Sequence, residues 1–260
     1  MDSGTNMKAR IIQKYIENPL IITSNFKPIQ KKKFDIRQWV LVRSFYPLKV
    51  YMFSTCYLRI CSSEFNLDNI KSLCSHLTNF SLNKTAFQAK NISLEDSVCD
   101  LETFKNYLSR FTEKSWDKDI KPKMQEIIVN TLRSVQDSIE QKPQSFEMFG
   151  FDLILDEKMD LWLLEVNLSP ACAERTEWLT QMLDDMAYGL LNIVLPQEWV
   201  NSKEREVKFN WEMIFNEKED VKENNVVINS NLNKLEIEGV KMDMKKEKNI
   251  DKKYFTLMYF

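Results

Sequence analysis

The sequence predicts an α/β fold of the α+β kind, a largely antiparallel sheet flanked by helices, and three features carry that expectation. Short, nearly continuous apolar runs at 11–16, 34–42, 50–60, 151–155 and 161–166 have the length and composition of buried strands. The connections through Pro47 and through Asp156–Asp160 read as tight hairpins, and a hairpin makes its two strands antiparallel. The segments 120–139 and 174–194 instead place apolar residues three and four apart, the period of a helix with one buried face.

A chain of 260 residues with 43% hydrophobic content buries one large core or two small ones. Its net charge of -2 gives no global attraction to nucleic acid or to a membrane, so any electrostatic recognition is local. His76 is the single histidine, which excludes polyhistidine metal clusters and argues against a Ser-His-Asp site. Five cysteines (Cys56, Cys61, Cys74, Cys99, Cys172) with no C-x-x-C pair suit reduced thiols in a cytosolic compartment. No signal peptide and no apolar run of bilayer length is present. Only Gly4, Gly150, Gly189 and Gly239 occur, so neither a Walker loop nor a G-x-G-x-x-G turn can be written. A nucleotide held by this chain would be held largely by side chains.

In chain order, Ile11–Ile16 reads as a short buried strand stopped by Pro19. Lys14 within it is either a solvent-facing edge residue or an ammonium aimed at a phosphate. Lys27–Lys33 reads as a basic loop. Phe34–Val42 begins by alternation, so Lys33, Asp35 and Arg37 share one face. They form either a surface ladder or a grip on ribose and phosphate. Val50–Ile60 is the partner strand and carries Arg59. Ser75–Lys84 is polar and turn-rich, with Thr78 and Asn79 suited to capping or to a ligand, and with His76 read as a packed histidine rather than a base. Helices follow at Leu101–Phe111 and Ile120–Ile139, then at Glu174–Val194 with its stripe of Leu179, Met182, Met186, Leu190 and Val194. Residues 1–200 make up the folded part. From Asn201 onward Lys, Glu and Asn dominate, and 201–260 reads as a peripheral or disordered tail.

The hairpin within Ser145–Pro170 is the centre of the chain. Glu165 and Asn167 lie two apart and so face the same way. If the hairpin closes with Asp156 opposite Leu161, Asp152 comes directly across from Glu165. An isolated Asp and an E-x-N are often surface decoration, but Trp162, Leu163 and Leu164 leave little room for an exposed face. Buried paired carboxylates need a positive partner. Two carboxylates and an amide carbonyl suit a hard divalent ion such as magnesium.

The segments IIQKYIENPL, KFDIRQWVLV, YLRICSSEFN, HLTNFSLNK and GFDLILDE followed by WLLEVNLSPACA, in this order, resemble the tubulin-tyrosine-ligase-like family of ATP-grasp enzymes, over roughly Ala9 to Pro196. Members of that family join an amino acid to tubulin at the expense of ATP. The S-F-E-x-x-G preceding the metal strand is similar to the glycine-adding branch, while P-A-C-A is closer to the tyrosine-adding enzyme; the balance favours glycine. The resemblance implies an ATP-grasp-like sheet, ATP and magnesium as cofactors, free amino acid and the acidic tails of tubulin in microtubules as partners, and a place in the cytoplasm, on the cytoskeleton or in a ciliary axoneme. Nucleic-acid binding and membrane insertion are not expected.

Residue by residue, the resemblance places Gln13, Lys14, Tyr15 and Ile16 on the adenine side. Lys33, Asp35, Thr78 and Asn79 fall at the nucleotide, and Arg37 and Arg59 at the phosphates and the activated substrate. Lys84 falls near the incoming amino acid, and Asp152, Glu165 and Asn167 at magnesium. Lys31 and Lys32 would meet the acidic tail. About ten residues precede the Q-K-Y strand, so the family's N-terminal part is expected to be missing.

Overall fold

The structure is a computed structural model and describes residues 11–23, 29–172, 176–195, 210–218 and 255–258. In chain order the elements are β1 (Ile11–Lys14), β2 (Ile21–Thr23), β3 (Lys31–Phe45), β4 (Leu48–Phe53), β5 (Tyr57–Ile60), α1 (Leu73–His76), α2 (Phe80–Ala89) and β6 (Val98–Asp100). There follow α3 (Leu101–Phe111), α4 (Lys121–Val135), β7 (Glu147–Leu155), β8 (Leu161–Leu168), α5 (Glu177–Val194), β9 (Trp211–Asn216) and β10 (Phe255–Met258). The chain divides into two units, Met1–Asn18 with Ile228–Phe260, and Pro19–Val227. In the first, β1 pairs antiparallel with β10. Ile12 is 59% exposed and Gln13 and Lys14 are exposed too, so β1 is shorter and more open than the buried strand expected at 11–16.

The second unit is built on β3. Its 15 residues are long enough to hold two strands end to end along each edge. β5 and β4 share one edge, and β2 and β7 the other, all antiparallel. β6, β9 and β8 extend the sheet outward from β5, β4 and β7. From Lys32 to Val42 every residue of β3 is buried, because helices cover both faces. Phe34, Ile36, Val40 and Val42 pack with Leu101, Phe104 and Leu108 of α3 and Met124, Ile128 and Leu132 of α4. Trp39 and Leu41, on the opposite face, pack under α5 with Leu179, Leu183, Met186 and Leu190. The expected class, an antiparallel α+β sheet with flanking helices, is what forms. No helix among the described residues is long and apolar enough to cross a membrane.

Several boundaries differ from the sequence reading, each for a local reason. Lys31–Lys33 is strand rather than loop, since β2 pairs along it. The run at 50–60 breaks at Ser54–Cys56, and Gln38 fills the break by donating Nε2–H to the carbonyls of Phe53 at 2.8 Å and Trp39 at 3.0 Å. Segment 75–84 is mostly helical, in α1 and α2, with only 77–79 between them. The long helix spans Lys121–Val135, entered through a wide turn at Trp116–Ile120 that Ser115 caps. α5 starts at Glu177, where the Thr176 hydroxyl accepts the Leu179 N–H; Leu183 is buried in its stripe while Met182 and Val194 are half-buried. α3 has the expected bounds, with Asp100 accepting the Thr103 N–H at 2.8 Å.

Residues 211–216, read from composition as part of a tail, form an edge strand of the main sheet. Trp211 is 6% exposed, its indole N–H donates to the Met186 carbonyl at 3.0 Å, and its ring lies 5.3 Å from Phe53. Gly189 makes room for it: a Cβ there would sit 2.6 Å from Trp211 Cδ1. Trp211→Ala is therefore expected to destabilise the protein by about 3–5 kcal/mol in urea unfolding. A change within the error of the measurement would detach β9 from the core.

Candidate functional site

The site is a row of charges running across the sheet from β5 to β8, produced by register. Arg59 lies opposite Asp35, Arg37 opposite Asp152, and Asp152 opposite Glu165. The pairing of Asp152 with Glu165 is the one expected, reached by another route. The hairpin closes one residue earlier, with Leu155 opposite Leu161, and a bulge at Leu164 restores the register before Asp152. Met159 takes the left-handed conformation (φ 66°) inside the turn, and Asp156 holds it by accepting the N–H groups of Lys158 and Asp160, both at 2.9 Å. β8 is not the buried strand expected. Among the described residues it pairs only with β7, Trp162 is 50% exposed, and Glu165 and Asn167 are half-buried.

Asp152 and Asp35 are both engaged by arginine. Arg37 grips Asp152 through Nε at 2.6 Å and Nη2 at 3.1 Å, the bidentate geometry a planar guanidinium favours. Arg59 grips Asp35 at 2.8 and 2.6 Å and reaches Asp152 with Nη2 at 2.7 Å. The Thr78 hydroxyl also donates to Asp35. The positive partner that the buried carboxylates require is thus supplied first by two arginines. Burial opposes charge on both Arg59 and Asp152, but opposite charges prevail: Asp35 and then Asp152 raise the Arg59 pKa, and Arg59 and Arg37 lower that of Asp152.

Glu165 is at the other end of the row. Burial, together with the adjoining Asp152, raises its pKa, which marks it as the carboxylate in excess. Asn167 bridges the two acids, donating Nδ2–H to Asp152 and to Glu165, each at 3.1 Å. A half-turn of that amide presents its oxygen instead. Two carboxylates and one amide oxygen then converge, a hard donor set that fits a magnesium-type cation with positions left for water or phosphate. Among the described residues no group of three His, Cys, Asp or Glu gathers as a metal cluster, so the amide is needed to complete the set.

Lys33 is buried on the same face, and burial lowers its pKa. Lys32 is buried on the other side of the strand, which leaves Lys31 as the exposed lysine of that trio. Asn79 occupies the N-cap position of α2 without a side-chain cap bond, which removes the capping interpretation for its amide. Lys84 is exposed on α2. Gln13, Lys14, Tyr15 and Ile16 lie in the first unit. His76 is the packed histidine expected, with Nε2 3.1 Å from the Asn69 carbonyl and its ring against Phe65; burial lowers its pKa.

Two residues of the site carried no chemistry in the sequence. A Cβ on Gly150 would stand 2.6 Å from Pro170 Cβ and 3.3 Å from Arg37 Cδ, so glycine lets the turn after β8 close over the arginine. The visible signal was a lone glycine inside a strand. Asn83, buried in α2, had none beyond its place five residues after Thr78.

Residues 2–203 match the sequence family described as the tubulin-tyrosine ligase family. The chain is 46% identical over 276 aligned positions to tubulin glycylase 3E of Tetrahymena thermophila, which covers 98% of this chain and 20% of that relative. It is 40% identical to tubulin glycylase 3F of the same organism, over 87% of this chain and 26% of the relative. Tubulin monoglycylase TTLL3 of Danio rerio is 31% identical over 71% of this chain and 24% of its own length. The chain spans about a quarter or less of the length of these relatives. With residues 2–203 matched, most of its length, the chain belongs to the tubulin-tyrosine ligase family.

Proposed function

We propose that the chain is the site-bearing part of an ATP-dependent ligase that adds glycine to glutamate side chains of tubulin tails. The observation that carries the reading is the row Arg59, Asp35, Arg37, Asp152, Glu165, which ends in a carboxylate in excess beside an amide. The three relatives are named as tubulin glycylases or a monoglycylase, which supports glycine over tyrosine or glutamate. Asp152, Glu165 and Asn167 would hold magnesium, which when bound neutralises phosphate charge.

A carboxylate is a poor electrophile, so its oxygen first takes the terminal phosphoryl group of ATP and ADP leaves. The amine of the incoming amino acid then attacks the acyl carbon, an amide bond forms, and phosphate departs with the surplus proton lost to solvent. Arg37 and Arg59 are fixed by their carboxylate partners before substrate arrives, and cations held in place stabilise developing negative charge without reorganising. Lys33, Asp35, Thr78 and Asn79 hold the nucleotide in this reading. Lys84 meets the amino acid. The acidic tails place the protein on the microtubule cytoskeleton, in cytoplasm or in a ciliary axoneme, and Lys31 is the exposed lysine left to attract them.

A second reading is favoured by the same arginines: both guanidinium groups already bind the chain's own carboxylates, as in a structural core. On that reading the chain binds tubulin without turnover. Incubating it with tubulin, ATP and magnesium, and with glycine, glutamate or tyrosine in separate reactions, decides by mass spectrometry of the tail peptides. Glycine addition is expected. Addition of glutamate or tyrosine instead overturns the amino-acid assignment, and tail binding with no addition at all supports the second reading.

A further inference from the structure

We propose that Asn83 is a positioning residue that fixes Thr78 and Asn79 against the strand carrying Arg59. The inference rests on the reading of Thr78 and Asn79 as part of the nucleotide side of a ligase. Asn83 is polar yet fully buried in α2. Its Oδ1 accepts the Ser62 backbone N–H at 3.0 Å and the Ser62 hydroxyl at 2.7 Å. Its Nδ2 donates to the carbonyls of Leu77 at 2.7 Å and Asn79 at 3.0 Å. A side-chain amide offers two donor hydrogens and two acceptor lone pairs, so its whole capacity is used.

These bonds close a circuit. Ser62 follows the end of β5, three positions past Arg59. Leu77 and Asn79 flank Thr78, whose hydroxyl donates to Asp35, and Asp35 accepts both N–H groups of Arg59. Asn83 therefore ties the two sides of the Asp35 contact to each other. Lys90, at the end of α2, adds a second anchor by donating to Ser63 Oγ at 2.7 Å and to the Ser62 carbonyl at 3.4 Å. The segment 77–79, which links two helices, is thereby tied down by hydrogen bonds on both sides of Thr78. A group that must meet a ligand within a fraction of an ångström benefits from such support.

The test compares Asn83→Asp, which keeps the shape but loses both donations to carbonyls, with Asn83→Ala, which loses all four bonds. Gln88→Ala, on the exposed side of α2, is the control. Hydrogen exchange of the amides of 77–82 is expected to accelerate by about tenfold or more in both Asn83 variants. In the amino-acid incorporation assay the KM for ATP is expected to rise by about tenfold, with kcat and the KM for glycine changed by less than about threefold. Unchanged exchange overturns the proposal, and so does a fall in kcat with both KM values intact, the mark of lost folded protein. Should both variants fail to fold, Ser62→Ala, which removes only the hydroxyl bond, still has to loosen 77–82 by a smaller factor, and its failure to do so overturns the proposal. If the parent chain incorporates no amino acid while the Asn83 variants loosen 77–82, the ligase reading fails and the clamp stands.

Discussion

Asp152→Ala is expected to cost about 3–5 kcal/mol of stability, the range for removing one partner of a buried ion pair. Asp152 is 1% exposed and is the bidentate partner of Arg37. Its loss orphans that guanidinium in the sheet and takes one of two carboxylates from Arg59. Arg37→Met is expected to cost less, because Asp152 keeps Arg59 and the methionine fills the arginine's apolar volume. Urea midpoints of the two variants against the parent check the order, and Arg37→Met as damaging as Asp152→Ala would refute this account of the row. The pH dependence has a definite sign. The Asp152 pKa lies below its ordinary 3.8 in the folded protein, because Arg59 and Arg37 outweigh the effect of burial. As the pH falls through that value the unfolded chain binds more protons than the folded one. The stabilisation by Asp152 is thus present above pH 3.8 and lost with acid, and Asp152→Ala should flatten the acid limb of the stability curve.

Glu165→Gln is expected to lower amino-acid incorporation into tubulin by about 10²–10³-fold, the usual scale for removing one preorganised electrostatic contact, while leaving the urea midpoint unchanged or slightly higher. The physical basis is the raised pKa of this half-buried carboxylate, crowded by burial and by Asp152. Neutralising it relieves repulsion in the folded state and removes an anionic oxygen from the donor set. The separation of the two effects is what matters: Asp152→Ala should lower stability and activity together, whereas Glu165→Gln should remove activity from a protein of parental stability. Incorporation that persists at the parental rate would take Glu165 out of the mechanism.

Much of the site was legible because strand alternation is a local property. Lys33, Asp35 and Arg37 share a face by spacing alone, and the E-x-N spacing puts Glu165 beside Asn167. The helices α3 and α4 were legible for the same reason, since their apolar stripes repeat within a few turns. What misled was composition. The lysines at 31–33 read as loop because three charges in a row resist burial, yet pairing with β2 draws them into the sheet. Trp211 was hidden among Lys, Glu and Asn, and its burial depends on the space left by Gly189, over twenty residues away.

By itself the sequence determined the faces of the strands, the stripes of the helices and the spacing of the polar groups, since each depends on neighbours within a few bonds. The tertiary structure alone decided that the buried carboxylates meet arginines from other strands, that a bulge at Leu164 brings Asp152 opposite Glu165, and that Asn83 binds Ser62. These are encounters between residues far apart in the chain, fixed by register, closure and packing.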